Sequence, residues 1–181
     1  MTRDELKHRV YQAIDQRGEE IIGLGEQIRR HPELGFKEVK TARLVEETFK
    51  KLGLVPRAGL ALTGVRADAN GRAGDGPTFA VLGELDALVV AGHPEGDAAT
   101  GAAHACGHNA QIAGMLGAAM GLLDAKAFDQ LGGRVVFFSV PAEEYGDIEW
   151  RVSRRAPASS SSSAASPSSC GSVISTTWTW R

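Results

Sequence analysis

Cys106 and His108 stand one glycine apart, and an acidic pair, Glu143-Glu144, follows an apolar run further along the chain. A thiolate and an imidazole are good ligands for zinc and other borderline divalent cations, and Gly107 lets the backbone turn both side chains toward one point. Taken alone, the triplet also fits a small buried thiol beside a helix-start histidine. Glu143 and Glu144 would point to opposite faces of a strand. Beyond Pro141 they fall in a turn, where both can line one pocket. One carboxylate can then hold a cation while its neighbour accepts a proton from water, the division of labour of metal-assisted hydrolysis. The plainer reading of the pair is a solvated acidic loop running on through Asp147 and Glu149. Asp86, at the end of another apolar run, can orient a ligand histidine from behind or close a turn. His104 is a weaker candidate ligand. His31, before Pro32, suits a helix end, and His8 and His93 suit exposed positions.

Short apolar strands and periodic helices must carry these groups. Thr2-x-x-Glu5 has capping-box form, and Leu6, Val10, Ile14, Ile21 and Ile28 recur at helical spacing, so residues 3–30 read as one amphipathic helix. A second helix is expected over 37–52, stopped by Gly53; both helices read as covers for a sheet. Residues 54–72 break into short β-like pieces with a turn signal at Asn70-Gly71. Residues 78–82 and 134–140 are continuous apolar runs, the form of strands buried on both faces. Between them lie a Gly/Ala/Asp-rich connection, 89–105, and a helix at 110–124 with Asn109 as its expected N-cap. Strand, helix, strand in this order argues for an α/β fold with a mixed, largely parallel sheet flanked by helices. In such sheets reactive groups collect beyond the carboxyl ends of the strands, where Asp86 and Glu143-Glu144 fall.

The chain has 181 residues, 43% hydrophobic and 23% charged, with a net charge of −2, an ordinary composition for one globular domain. No basic field points to nucleic acid. No apolar run has bilayer length, and the charged N-terminus is unlike a signal peptide. With two cysteines in dissimilar surroundings, Cys106 and Cys170, these features point to a reducing, cytoplasmic setting. After Trp150 the composition changes: 11 of the 31 residues at 151–181 are Ser, against Ser139 alone before them, and every acidic residue precedes residue 150. Residues 1–150 therefore read as one unit and 151–181 as a Ser-rich tail. Either the tail is natural low-complexity sequence, expected to be disordered, or the reading frame shifts near residue 151. The second reading better accounts for Ile174, Trp178 and Trp180.

His-Pro-Glu-Leu-Gly-Phe at 31–36, Gly-Glu-Leu-Asp-Ala-Leu at 83–88, His-Ala-Cys-Gly-His-Asn at 104–109 and Pro-Ala-Glu-Glu at 141–144, in this order, resemble the amidohydrolase branch of the dinuclear zinc-exopeptidase superfamily. That branch includes aminoacylases, hippurate hydrolases and aminobenzoyl-glutamate hydrolases, and the Gly-Glu-Leu-Asp form tilts toward the last of these. The resemblance covers about residues 3–150. It implies part of a catalytic domain that hydrolyses N-acyl-amino-acid or dipeptide-like amides with two divalent ions (Zn, Mn, Co or Ni). Cys106, His108 and Glu144 match metal ligands, Glu143 matches the general base, and Asp86 matches the acidic residue supporting the site. Members are homodimers through an inserted domain, which this sequence is expected to lack. They also use two further ligand histidines, whereas no histidine follows His108. The residues present are thus expected to hold one ion or none, with activity impaired. The rival expectation is a non-catalytic fragment or pseudoenzyme binding at most one ion. A structural zinc knot built on His104, Cys106 and His108 lacks a fourth ligand nearby.

Overall fold

The computed structural model describes residues 1–153, so nearly all of the Ser-rich stretch assigned to 151–181 lies outside the described residues. Contacts divide the chain into Met1–Ile148 and a second unit from Glu149 onward. In chain order the elements are α1 (Arg3–Gln16), α2 (Gly18–Arg29), α3 (Val39–Lys51), β1 (Arg57–Leu60), β2 (Gly64–Asn70), β3 (Thr78–Glu84), β4 (Leu88–Val89), β5 (Ala102–Ala103), α4 (His108–Asp124), a 3-10 turn (Ala127–Asp129), β6 (Arg134–Val140) and α5 (Ile148–Ser153).

The capping box forms as expected. Glu5 N–H donates to Thr2 Oγ1 (3.2 Å) and Thr2 N–H to the Glu5 carboxylate (2.7 Å). The single helix expected over 3–30 is instead two. The helix breaks at Arg17 (φ −98°, ψ 7°), whose guanidinium reaches across to Asp124 at the end of α4 (2.8 Å). Gly18, a poor residue for a helix interior, takes the first position of α2. The break lets both pieces follow α4, and they cover that helix rather than lying on the sheet as expected. Gly117 and Gly121 leave the facing side of α4 bare where Ile21 and Ile14 press on it. Helix α3 matches its expectation, down to left-handed Gly53 (φ 78°).

The sheet runs β1-β2-β6-β3. It is mixed: among the described strands β1 and β6 both pair antiparallel with β2, and β3 pairs parallel with β6. Helices α3 and α4 cover one face, and there the core centres on Phe49 and Phe137, both fully buried, with ring centroids 6.2 Å apart. Ser139 is buried in β6 and ties that strand to β2: its hydroxyl donates to the Val65 carbonyl (3.0 Å) and accepts from the Val65 amide (3.2 Å).

Strand β3 departs from the expectation of burial on both faces. It is the edge of the sheet, with Phe79 63% and Leu82 58% exposed. A continuous apolar run carries no signal of whether a neighbour strand lies alongside it. No helix among the described residues is long and apolar enough to cross a membrane. Helix α5 is short, and within it Ser153 Oγ donates to the Trp150 carbonyl (2.7 Å).

Candidate metal centre

Because β3 and β6 are parallel neighbours in register, with Glu84 opposite Val140, their carboxyl ends finish at the same rim of the sheet. Leu85 N–H donates to the Val140 carbonyl (2.9 Å) and prolongs the pairing past the strands. Residues 84–86 and 141–144 are thereby side by side. The third contributor is the start of α4. A Cβ on Gly83 would sit 3.0 Å from Ile112 Cδ1 and 3.2 Å from Ile112 Cα, so a side chain there would push the helix off β3. Helix α4 begins at His108, two residues earlier than expected, behind left-handed Gly107 (φ 89°), which occupies the N-cap position assigned above to Asn109. Asn109 instead donates through Nδ2 to the Gly25 carbonyl (3.3 Å), a link to α2.

The connection 89–105 is an ordered element. Its ends pair as β4 and β5, and Asp97 Oδ1 accepts from the amides of Ala99 and Thr100 and from the Thr100 hydroxyl. Glu95 reaches Arg29 on α2 as an ion pair. Buried Ala102 and Ala103 then deliver the chain into His104 and Cys106.

His108 is 2% exposed and fixed from both sides. Its Nδ1 lies 2.8 Å from the backbone carbonyl of Asp86. A carbonyl only accepts, so Nδ1 carries the proton and Nε2 faces the acidic cluster. There it lies 2.8 Å from Glu84 Oε2 and 3.9 Å from carboxylate oxygens of both Glu143 and Glu144. Asp86 thus supports His108 chiefly through its main chain, its Oδ1 being 3.4 Å from Nδ1. Its buried carboxylate does something else: it accepts from the amides of Glu143 (3.1 Å) and Glu144 (2.9 Å). Burial pushes the Asp86 carboxyl above its ordinary range, and these two hydrogen bonds oppose that.

Two sets of donor atoms lie within 4.8 Å of one another: Cys106, His108 and Glu144, and Glu84, His108 and Glu143. Bonds of ~2.0–2.3 Å put two ligands of one ion at most about 4.6 Å apart, so small closures bring either set onto an ion. The donor set fits a divalent cation. Three carboxylates around one imidazole nitrogen repel each other unless a positive charge sits among them. Of the candidates from sequence, Cys106, His108, Glu143, Glu144 and Asp86 converge here. His104 belongs to neither set. Burial, with the nearby His108, lowers its imidazole to about 4, keeping it neutral. His31 lies just past α2, with Nδ1 2.9 Å from the Gln27 carbonyl, and belongs to neither donor set.

Two residues escaped sequence reasoning. Glu84 stands two positions before Asp86, and the two-residue period of an extended chain, which turns alternate side chains the same way, could have pointed to it. The other is Glu38, whose carboxylate accepts from the Ala142 amide (2.8 Å) and the Thr63 hydroxyl (2.7 Å); no spacing pattern in the sequence connects it to the site.

Cys106 is an exposed free thiol. Its pKa is raised above the ordinary thiol value, first by a hydrogen bond with Glu144 and then by the charges of Glu144, Glu143 and Glu84. A raised pKa means less thiolate at a given pH. Alkylation of the metal-free protein by iodoacetamide is therefore expected to be slow at neutral pH and to accelerate on going alkaline. Glu144→Gln should speed it at neutral pH by removing the main cause, as mass spectrometry of the Cys106 peptide would show. An equal rate in both proteins would mean that Glu144 does not govern this thiol.

No protein-family model matches the sequence, but individual proteins do. N-acetyl-L-cysteine deacetylase of Bacillus subtilis is 34% identical over 130 residues, covering 70% of this chain and 30% of the relative. Thermostable carboxypeptidase 1 of Saccharolobus solfataricus is 36% identical over 132 residues, covering 71% and 33%. The crystal structure of a dinuclear metal-binding peptidase of the M20 family from Bacillus subtilis superposes with a TM-score of 0.62 at 30% identity, covering 79% of this chain and 41% of that one. This chain thus spans about a third of the length of the curated relatives it matches. With the parallel strand ends and the clustered thiol, imidazole and carboxylates, these likenesses show that the chain belongs to the amidohydrolase branch of the M20 peptidase family.

Proposed function

We propose that residues 1–150 are part of the catalytic domain of a metal-dependent hydrolase of N-acyl-amino-acid or dipeptide-like amide bonds. The observation that carries this reading is the meeting of Cys106, His108 and Glu144 beside Glu143 at the shared rim of β3 and β6. Cys106, His108 and Glu144 are the ligands in this reading, and Glu84 is within reach to join them. A bound zinc, manganese, cobalt or nickel ion supplies Lewis-acid polarisation of the scissile carbonyl. The chain's own residues do the rest. Glu143, about half exposed, takes the proton of the attacking water on its carboxylate and returns it to the departing amine. Asp86 holds the amides of Glu143 and Glu144, and its carbonyl fixes the His108 tautomer.

A second reading, a non-catalytic protein holding one ion, is favoured by the overlap of the two donor sets, which among the described residues share the single imidazole of His108. For the 181-residue chain we expect one zinc ion per chain and little turnover of N-acetyl- or N-benzoyl-amino acids. Metal analysis after gel filtration and an amide-hydrolysis assay with Zn²⁺, Mn²⁺ or Co²⁺ check this. Two tightly held ions with robust turnover that Glu143→Gln abolishes would extend the catalytic reading to the chain as it stands. No ion at all would remove the site.

A further inference from the structure

We propose that Glu38 is a positioning residue for the Glu143-Glu144 pair, its buried carboxylate acting with that of Asp86 to clamp three consecutive backbone amides. This rests on the metal-site reading above and adds a residue to it. Ala142 N–H donates to Glu38 Oε1 (2.8 Å), Glu143 N–H to Asp86 Oδ1 (3.1 Å) and Glu144 N–H to Asp86 Oδ2 (2.9 Å). Adjacent residues of an extended chain point to opposite sides. Both glutamates reach the neighbourhood of His108 from a chain bent at Ala142 into the left-handed region (φ 55°), a conformation unfavourable for a residue with a Cβ. The bend needs an external hold, and the two carboxylates supply one.

The position of Glu38 marks it out for this task. It is the N-cap residue of α3, where an acidic side chain ordinarily accepts from the helix's first amides, yet it makes no such bond. Glu33 does that work, accepting from the amides of Lys40 (3.1 Å) and Thr41 (2.9 Å) and from the Thr41 hydroxyl (3.0 Å). Released from capping, Glu38 turns inward and is 0% exposed, anchored by the Thr63 hydroxyl at the start of β2. A buried carboxylate is costly to keep unless its hydrogen bonds repay desolvation, and here one of those bonds, from the Ala142 amide, comes from the turn that carries both glutamates. The clamp thereby links α3, the β1–β2 turn and the end of β6.

The test uses the full chain with Glu38→Ala, Glu38→Gln and, as a control cavity on the same helix, Val45→Ala. Hydrogen exchange of the Ala142, Glu143 and Glu144 amides in metal-free protein is the first readout. Glu38→Ala should lose protection at all three while Val135–Phe137 keep theirs. Glu38→Gln should retain it, because its amide oxygen still accepts from Ala142 and its NH₂ donates to Thr63. The second readout is Zn²⁺ affinity by chelator competition. Glu38→Ala should weaken it by ~10–100-fold, as loss of a ligand's supporting partner does, and should add nothing in a Glu144→Ala background. Undiminished protection in Glu38→Ala, equal loss in Val45→Ala, failure of Glu38→Gln to rescue, or a full further loss on top of Glu144→Ala would each overturn the proposal. Should Glu38→Ala not fold, Thr63→Val removes the anchor more gently and must still lower protection at Ala142. If the unsubstituted chain binds no zinc, the metal-site reading fails while the exchange experiment still decides the role of Glu38.

Discussion

Replacing His108 with alanine is expected to cost this chain more zinc affinity than any other single substitution, beyond the ~10–100-fold typical of residues that only support a ligand. His108 is the one residue shared by both donor sets, so its loss breaks either arrangement. It also leaves three carboxylates facing one another and strips the Asp86 carbonyl of its partner, a buried loss of ~1–3 kcal/mol. Titration with Co²⁺, followed through thiolate-to-metal absorption, measures the effect. The same titration should tighten as pH rises, because the Cys106 pKa is raised and its thiol must give up a proton to bind. A His108→Ala protein that binds Co²⁺ as the parent does would place the metal elsewhere.

Phe137→Ala is expected to destabilise the fold by ~3–5 kcal/mol, out of a total that for domains of this size is ~5–15 kcal/mol. Phe137 is fully buried in β6, an inner strand flanked by β2 and β3, and meets Phe49 from α3. Phe79→Ala removes the same ring from the edge strand, where 63% of it faces solvent, and should cost far less. Urea unfolding of the two variants compares them directly. Equal losses would mean that β6 is not an inner strand of the sheet.

Both phenylalanines lie in apolar runs that look alike in sequence, and the difference between them shows where legibility ends. Residue order gives the strands, the periodic helices and the collection of Asp86 and Glu143-Glu144 at strand ends, because these follow from local pattern and from the general behaviour of α/β sheets. It does not give the neighbours of a strand, so edge and centre were indistinguishable. The break at Arg17 escaped for a related reason: the apolar spacing of Leu6 to Ile28 continues through it, and Gly18 marks only a weak point, which contact with α4 and Asp124 accompanies as a break. In the cluster, Cys106, His108 and Glu144 were legible as residue types with ligand chemistry. Glu38 was not, since it reads as an ordinary first-turn acid and its partners, Thr63 and Ala142, are distant in sequence. The support that Asp86 gives His108 was legible, but its delivery through a main-chain carbonyl was not.

The parallel pairing of β3 with β6 also sets an order of events. Thr78 lies opposite Arg134, so this contact closes a long loop that holds α4 and the whole 89–105 connection. Strand β6 follows β2 and β3 in the chain but sits between them in the sheet, so its insertion joins two strands that share no direct pairing. Cys106 and His108 are near one another at any stage of folding, whereas Glu144 joins them only once that insertion is complete. An ion meeting the unfolded chain finds two donors, and the same ion in the native chain finds three or more. Its grip is therefore a property of the finished topology, and loading the site should slow the escape of β6 far more than it hastens its arrival.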